Sequence, residues 1–257
     1  MHVAITGATS GLGWALATHY AAKGTVLSLS GRNKERLEEV AAACRQLGAT
    51  VSTQAVDVTD TASVNSWLVR ADEQLPVDIL IANAGMGGNS VVTPREGESA
   101  VLAQEIFNVN TIGVTNTIAP LVPAMSKRGR GNIVIIGSMA AMVGLPHSPV
   151  YSASKAAIQI YSDGMRRLLQ DQGIRVTSVL PGFIDTPMSQ SLNMERPFCW
   201  SAEKAAKRIA RDVARGSAYS IFPWQFRLLL ALQSVLPTWI IDRILIRSAK
   251  AGWDEAA

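Results

Sequence analysis

Short apolar runs alternate along this chain with longer stretches in which apolar residues recur every three or four positions. The runs at 2–6, 25–30, 50–56, 78–82, 131–137, 174–180 and 219–222 have the length of strands, and helical patterns separate them. Such alternation is the rhythm of successive βαβ units, which build a parallel sheet with helices on both faces. Gly24, Gly48, Gly173 and Gly216 each come after a helical pattern, where a left-handed residue ends a helix. The pattern predicts an α/β chain with a single doubly wound, seven-stranded parallel sheet over 1–223, extended by C-terminal helices over 224–257. No internal repeat, low-complexity tract or long linker interrupts it.

A chain of 257 residues, 48% of them hydrophobic, can bury one large core. Cys44 and Cys199 are its only cysteines, with no Cys-x-x-Cys and no histidine cluster, so neither a disulfide framework nor a metal site is expected. This usage fits a reducing cytoplasm. The first strand starts directly after Met1, which leaves no room for the basic and apolar segments of an export signal, so a cytoplasmic protein is expected. The net charge of +4 is uneven: residues 1–200 carry 15 Lys/Arg against 15 Asp/Glu, and residues 201–257 carry 9 against 5. Four of the six tryptophans, Trp200, Trp224, Trp239 and Trp253, lie in or beside that last part. No nucleic-acid partner is expected.

The turn after the first strand reads Thr6-Gly7-Ala8-Thr9-Ser10-Gly11-Leu12-Gly13. Glycines at spacings of four and two let the backbone turn tightly and approach a pyrophosphate, whose charge then meets the N–H groups of a helix N-terminus. Gly7, Ser10, Gly11, Leu12 and Gly13 are therefore cofactor candidates in a Rossmann-type fold, although the order is Gly-x-x-x-Gly-x-Gly and not the commoner Gly-x-Gly-x-x-Gly. A glycine-rich turn with no phosphate role is the less favoured alternative. The second strand ends Leu29-Ser30-Gly31-Arg32-Asn33, with no acid to grip a ribose 2′-hydroxyl and repel a 2′-phosphate. Arg32 can pair with that phosphate and stack on adenine, which favours NADP(H); a solvated loop arginine is the plainer alternative. Asp57, with Val58 beside it, offers an acceptor to the adenine amino group, or stabilises its own loop while Asp60 caps the next helix. Asn83-Ala84-Gly85 would let the chain pass close to the adenine ribose, or form a tight structural turn.

If the stretch Tyr151-Ser152-Ala153-Ser154-Lys155 is helical, Tyr151 and Lys155 lie one turn apart on one face. The ammonium then favours the phenolate, so the tyrosine can move a proton near neutral pH although a free phenol titrates near about 10. Alone the pair is weak evidence. Together, Thr6-Gly-x-x-x-Gly-x-Gly13, Ala82-Asn83-Ala84-Gly85, Asn110, Ser138 thirteen residues before Tyr151, Lys155 and Pro181-Gly182 resemble the motif set of the short-chain dehydrogenase/reductase family, in order and spacing. The resemblance covers residues 2–190, with Ala82 where the family often has a second Asn. It implies an oxidoreductase whose proton is handled by Asn110, Ser138, Tyr151 and Lys155. Ser138 would hydrogen-bond the substrate oxygen, Tyr151 would exchange a proton with it, and Lys155 would lower the tyrosine's pKa and bind the nicotinamide ribose. Asn110 would hold a water that refills the proton; Asn108 competes for that role, and the Thr-x-Gly after Asn110 favours Asn110. By the same resemblance the Ile184 backbone and Thr186 hydroxyl hold the nicotinamide carboxamide, and helices at 99–118 and 151–171 form the interface of a homodimer or homotetramer.

The segment 186–200 is the expected substrate lid. Met188, Leu192, Met194, Phe198 and Trp200, facing Met139, Met142 and Leu145, suggest an apolar, adaptable pocket for a ketone or secondary alcohol, with core packing an equal account of several. His147, four residues before Tyr151, lines that pocket or sits at its rim, whereas His2 and His19 have no evident role. The apolar stretch between Arg227 and Pro237 is too short to span a bilayer, which takes about 20 residues, and 238–247 puts Ile240, Ile241, Ile244 and Leu245 on one face. These helices either cover the cleft and a subunit interface, the favoured reading, or touch a membrane surface peripherally. The same fold also serves non-catalytic NADP(H)-binding sensors or scaffolds; the four proton-handling residues argue for an enzyme.

Overall fold

Apolar runs that need cover on both faces pair side by side in the computed structural model, which describes residues 1–87, 97–192, 195–226, 228 and 236–254. The strands are β1 (His2–Ile5), β2 (Val26–Gly31), β3 (Thr50–Ala55), β4 (Ile79–Ala82), β5 (Gly131–Ile136), β6 (Ile174–Pro181), β7 (Ile184–Asp185), β8 (Trp200–Ser201) and β9 (Tyr219–Phe222). Seven of them form one parallel sheet in the order β3-β2-β1-β4-β5-β6-β9. This is the doubly wound Rossmann-type sheet that the sequence predicts. The short strands β7 and β8 pair separately and were not foreseen.

Side chains alternate between the two faces, and each face has its own core. Val3, Ile5, Leu27, Leu29, Ile81 and Val134 meet α1 (Gly11–Tyr20), α2 (Lys34–Gln46) and α9 (Ala202–Ala214) on one side. Ala4, Leu80, Ala82, Ile133, Ile135 and Val176 meet α3 (Thr61–Gln74), α5 (Gly113–Ile118) and α7 (Pro149–Leu168) on the other. Each fully buried Leu or Ile contributes roughly 1.5–3 kcal/mol by leaving water, so register is fixed wherever both faces are covered. Only the edge strand β3, with the sequence TVSTQA, alternates exposed with half-buried positions. Four further α-helices among the described residues are α4 (Ala100–Phe107), α6 (Val122–Arg128), α8 (Pro187–Gln190) and α10 (Thr238–Asp254).

The order reverses between β1 and β4, and there the loops after both strands lock together. Thr6 Oγ1 accepts from the backbone N–H groups of Asn83 and Ala84 at 3.1 and 3.2 Å. Asn83 Nδ2 in turn donates to the carbonyls of Thr6 and Gly7, both at 3.0 Å. Because this knot needs close backbone approach, a Cβ on Gly13 would lie 2.1 Å from the Gly7 carbonyl oxygen. At the opposite edge, His2 has a role the sequence did not suggest. Its ring is hydrogen-bonded to the Leu75 carbonyl at 2.7 Å and to Ser28 Oγ at 2.8 Å, and burial lowers its pKa.

The C-terminal basic excess has a different address from the one composition suggests. Five of its nine cations, Lys204, Lys207, Arg208, Arg211 and Arg215, lie on α9 or at its end, so residues 224–257 carry only four Lys/Arg against three Asp/Glu. In α10, Ile240, Ile241 and Leu245 are half-buried and Ala249 is buried, whereas Ile244 and Trp239 are 59% and 65% exposed. The covered face is thus narrower than predicted, because Ile244 turns outward. Among the described residues no helix is long and apolar enough to cross a membrane.

Replacing Gly13 by Ala should destabilise the protein by roughly 1–3 kcal/mol, since the clash falls on backbone that is itself fixed. Thermal unfolding should show a fall of about 2–4 °C per kcal/mol; a midpoint shifted by less than about 1 °C would contradict the knot's rigidity.

Candidate active site

The carboxyl ends of β1, β4, β5 and β6 deliver the predicted residues to one edge of the sheet, where nucleotides and substrates bind in such folds. At the first end, Gly7 and Gly11 take positive φ values of 65° and 52°. Ser10 is the N-cap of α1 yet makes no side-chain cap bond, and the helix has no acid in its first turn. Its leading N–H groups and positive dipole end are therefore left to an anion. Leu12 and Gly13 are buried behind them. Arg32 follows β2 and is exposed, and Asn33 is occupied as the N-cap of α2.

Two residues of the nucleotide set have local partners. Asp57 Oδ1 accepts from the backbone and hydroxyl of Thr59 at 2.9 and 2.7 Å, and these bonds lead in lowering its pKa. Asp60 caps α3, accepting from Ala62 and Ser63, as the sequence suggested. Val58 is buried, and its carbonyl accepts from Asn116 Nδ2 at 3.0 Å. The Asn83 side chain is spent on the Thr6–Gly7 knot, so toward the cleft this strand end offers the backbone of Ala84 and Gly85.

The proton-handling residues converge around α7. Asn110 is fully buried within a π-helical turn, Asn108–Ile112, that continues α4. Its Oδ1 accepts from Met86 N at 2.8 Å, while Nδ2 donates to the Met86 carbonyl at 2.9 Å and to Ser154 Oγ at 3.1 Å. Asn108 is exposed, which separates the two candidates. Ser154, overlooked in the sequence, donates to the Tyr151 carbonyl at 2.8 Å and so joins Asn110 to the tyrosine's helix. The Ser138 hydroxyl accepts from Ala140 N at 3.1 Å and lies near enough to the Tyr151 phenol to pull its pKa down. Lys155 Nζ lies 5.8 Å from the centroid of the Tyr151 ring and donates to the Ile136 carbonyl at 3.0 Å. Gly85 permits this approach: a Cβ there would lie 3.2 Å from Asn110 Oδ1 and 3.5 Å from Lys155 Nζ.

Burial dominates the electrostatics of this group. It raises the Tyr151 phenol above its ordinary value, with Ser138 pulling the other way, and it lowers Lys155 to about 8. The depression of Tyr151 by Lys155 expected from the sequence is therefore not what the protein alone shows: burial raises the phenol, and Ser138 is what opposes it.

The residues expected to border a substrate divide. Met139 is buried, and Met188 is 42% exposed. Trp200 is taken up in packing, since its ring stacks on Phe222 at 5.0 Å and carries Lys204 Nζ at 4.2 Å. This fits the core-packing alternative for Trp200. His147 is half-buried with an unpartnered Nδ1, and burial lowers its pKa, which favours the neutral ring. Ile184 is buried, and the Thr186 hydroxyl caps α8, accepting from Ser189 N and donating to the Ile184 carbonyl at 3.3 and 3.4 Å. Met194 lies outside the described residues. Phe226, unnoticed in the sequence, meets Phe183 and Phe198 at 6.4 and 6.0 Å and so joins the C-terminal segment to the lid. Among the described residues no group of three His, Cys, Asp or Glu is placed to hold a metal ion.

A family model described as short chain dehydrogenase matches residues 1–197. The chain is 30% identical over 239 residues to an uncharacterized oxidoreductase of Myxococcus xanthus, with 93% of each chain covered. It is 34% identical over 252 residues to 11-beta-hydroxysteroid dehydrogenase-like 2 of Arabidopsis thaliana, covering 95% of this chain and 80% of that one. Among solved structures, a short-chain dehydrogenase from Sphingobium yanoikuyae in complex with NADPH matches with a TM-score of 0.79 at 28% identity, covering 92% of this chain and 96% of the other. With its parallel sheet, glycine turn and nicotinamide-cofactor edge, the chain belongs to the short-chain dehydrogenase family of oxidoreductases.

Proposed function

We propose that the protein is an NADP(H)-dependent oxidoreductase that interconverts a ketone and a secondary alcohol on an apolar small-molecule or lipid-like substrate. The observation that carries this reading is the convergence of Asn110, Ser154, Tyr151, Ser138 and Lys155 around the first turns of α7. A structural role alone does not call for a buried lysine beside a buried tyrosine, because both are costly to ionise there.

The residues present fit the dinucleotide. The glycine turn leaves the α1 N-terminus free for the pyrophosphate, and Arg32, on the surface beyond β2, would meet a 2′-phosphate. Asp57 Oδ2, Val58 and the backbone of Ala84–Gly85 would border the adenosine, and the Ile184 backbone with Thr186 the carboxamide. When bound, the cofactor supplies or accepts the hydride at the carbinol carbon. Ser138 would orient the substrate oxygen, and Tyr151 would give it a proton in reduction or take one in oxidation. Lys155, a donor on the same face, would hold the ribose and relay the proton toward Asn110. Met139 and Met188 would border an apolar substrate near the neutral His147 ring, and Phe226 supports a C-terminal segment that closes the cleft. The outward Val101, Ile160 and Leu168 on α4 and α7 support a homo-oligomer.

A panel of alicyclic, aryl-alkyl and long-chain methyl ketones tests the reading by NADPH consumption. Tight NADPH binding without turnover across the panel would favour a non-catalytic sensor. Tyr151→Phe should lower kcat by about 10²-fold or more with NADPH binding nearly intact, and retained activity would remove Tyr151 from the mechanism. Arg32→Asp should shift the NADPH/NADH ratio of kcat/KM by roughly 10–100-fold toward NADH, and an unchanged ratio would remove Arg32. Lys155→Met should abolish turnover yet stabilise the cofactor-free protein at pH 7 by roughly 1–3 kcal/mol, seen as a raised unfolding midpoint. Burial lowers Lys155 to about 8, so between there and its unfolded value of 10.5 the native state binds fewer protons than the unfolded state. Wild-type stability therefore gains on the variant as pH rises through that window, and an advantage that does not shrink would contradict the cause.

A further inference from the structure

The helix that carries Tyr151 and Lys155 has no cap of its own. Its N-cap Ser148 makes no side-chain bond to the first turn, and Pro149 has no N–H to offer. The first free backbone donor is the N–H of Val150, directly before Tyr151. It donates to Glu98 Oε2 at 2.7 Å, across 52 positions of chain. Glu98 is followed by Ser99 and α4, whose N-cap Ser99 likewise makes no side-chain bond, and α4 runs into the π turn that holds Asn110. Gly97 sets the approach with a φ of +66°. One carboxylate thus joins the starts of the two helices that deliver Asn110 and Tyr151. The carboxylate oxygen accepts from a donor that the helix itself leaves unsatisfied.

We propose that Glu98 is a positioning residue for proton transfer: by capping α7 from another part of the chain it holds the first turn, and hence the Tyr151 phenol, against Ser138. The role rests on the reading of Tyr151 as the proton donor. It touches neither substrate nor cofactor, so its loss should appear in kcat and in the order of one helical turn, not in cofactor affinity. The bond requires an acceptor of a certain reach and not a charge as such, which makes Glu98→Gln a conservative replacement and Glu98→Asp a disruptive one.

Hydrogen exchange on the full chain, read on peptides covering Val150–Lys155, is combined with turnover of the ketone that the panel shows to be reduced fastest. Loss of a helix cap corresponds to about five-fold in the local opening equilibrium. Glu98→Ala should speed exchange at Val150 about five-fold and lower kcat by a similar factor, with the Kd for NADPH within about two-fold. Glu98→Gln should restore both to within about two-fold of the wild type. Unchanged exchange and kcat in Glu98→Ala, or a Gln variant as impaired as the Ala variant, would overturn the proposal. If Glu98→Ala does not fold, Glu98→Asp replaces it: its shorter carboxylate should lose kcat where Gln keeps it, and equal kcat in the two would overturn the proposal. Tyr151→Phe assayed alongside separates the two levels. Full activity in that variant removes the underlying reading, whereas an inactive Tyr151→Phe beside unaffected Glu98 variants removes only the role of Glu98.

Discussion

A lysine ammonium set below the carboxyl edge of a parallel sheet is the constraint around which this protein is arranged. Lys155 is 4% exposed, and its recorded hydrogen bond is to the Ile136 carbonyl at 3.0 Å. Burial there opposes the charge, as the lowering to about 8 expresses, and the fold must offset that cost elsewhere. Two apolar cores, one on each face of the sheet, are large enough to do so. The neighbours of the ammonium also follow from it. A Cβ on Gly85 would press on Asn110 Oδ1 at 3.2 Å and touch Lys155 Nζ at 3.5 Å, and Asn110 is buried within a π turn.

The cofactor edge depends on a second, purely structural device. Thr6–Gly7 and Asn83–Ala84 are joined by four hydrogen bonds between the ends of β1 and β4, and the glycine turn is shaped by that knot before any ligand arrives. Preformed geometry of this kind lowers the ordering cost of binding. It also explains why Asn83, which the sequence assigns to the ribose, has its side chain directed at the protein. Binding and rigidity are served by adjacent atoms of one loop.

Much of the sheet was legible because strands buried on both faces must be written as short apolar runs, and 219–222 was located to the residue. The pair β7–β8 was not, since strands of two residues carry no period. The alternation of His2, Ser28 and Ser52 across three strands likewise has no local signature. At the site, the candidates Asn110, Ser138, Tyr151 and Lys155 came from the family resemblance, which also favoured Asn110 over Asn108; the fold adds that Asn110 is buried and Asn108 exposed. Ser154 could have been found from its place three residues after Tyr151 on the same helix. Glu98 could not, because a contact spanning 52 positions is set by how α4 and α7 meet. The charge excess is legible as a basic helix after Ser201, but only the fold shows that this helix, α9, packs on the first core.

Transfer of deuterium from NADPH labelled at nicotinamide C4 tests the central claim most directly. With a ketone that the protein reduces, the label should appear on the carbinol carbon of the product, while the hydroxyl proton comes from solvent by way of Tyr151. Label lost to water, or a product whose carbinol hydrogen derives from solvent, would contradict direct hydride transfer and with it the role assigned to the Tyr151–Lys155 pair.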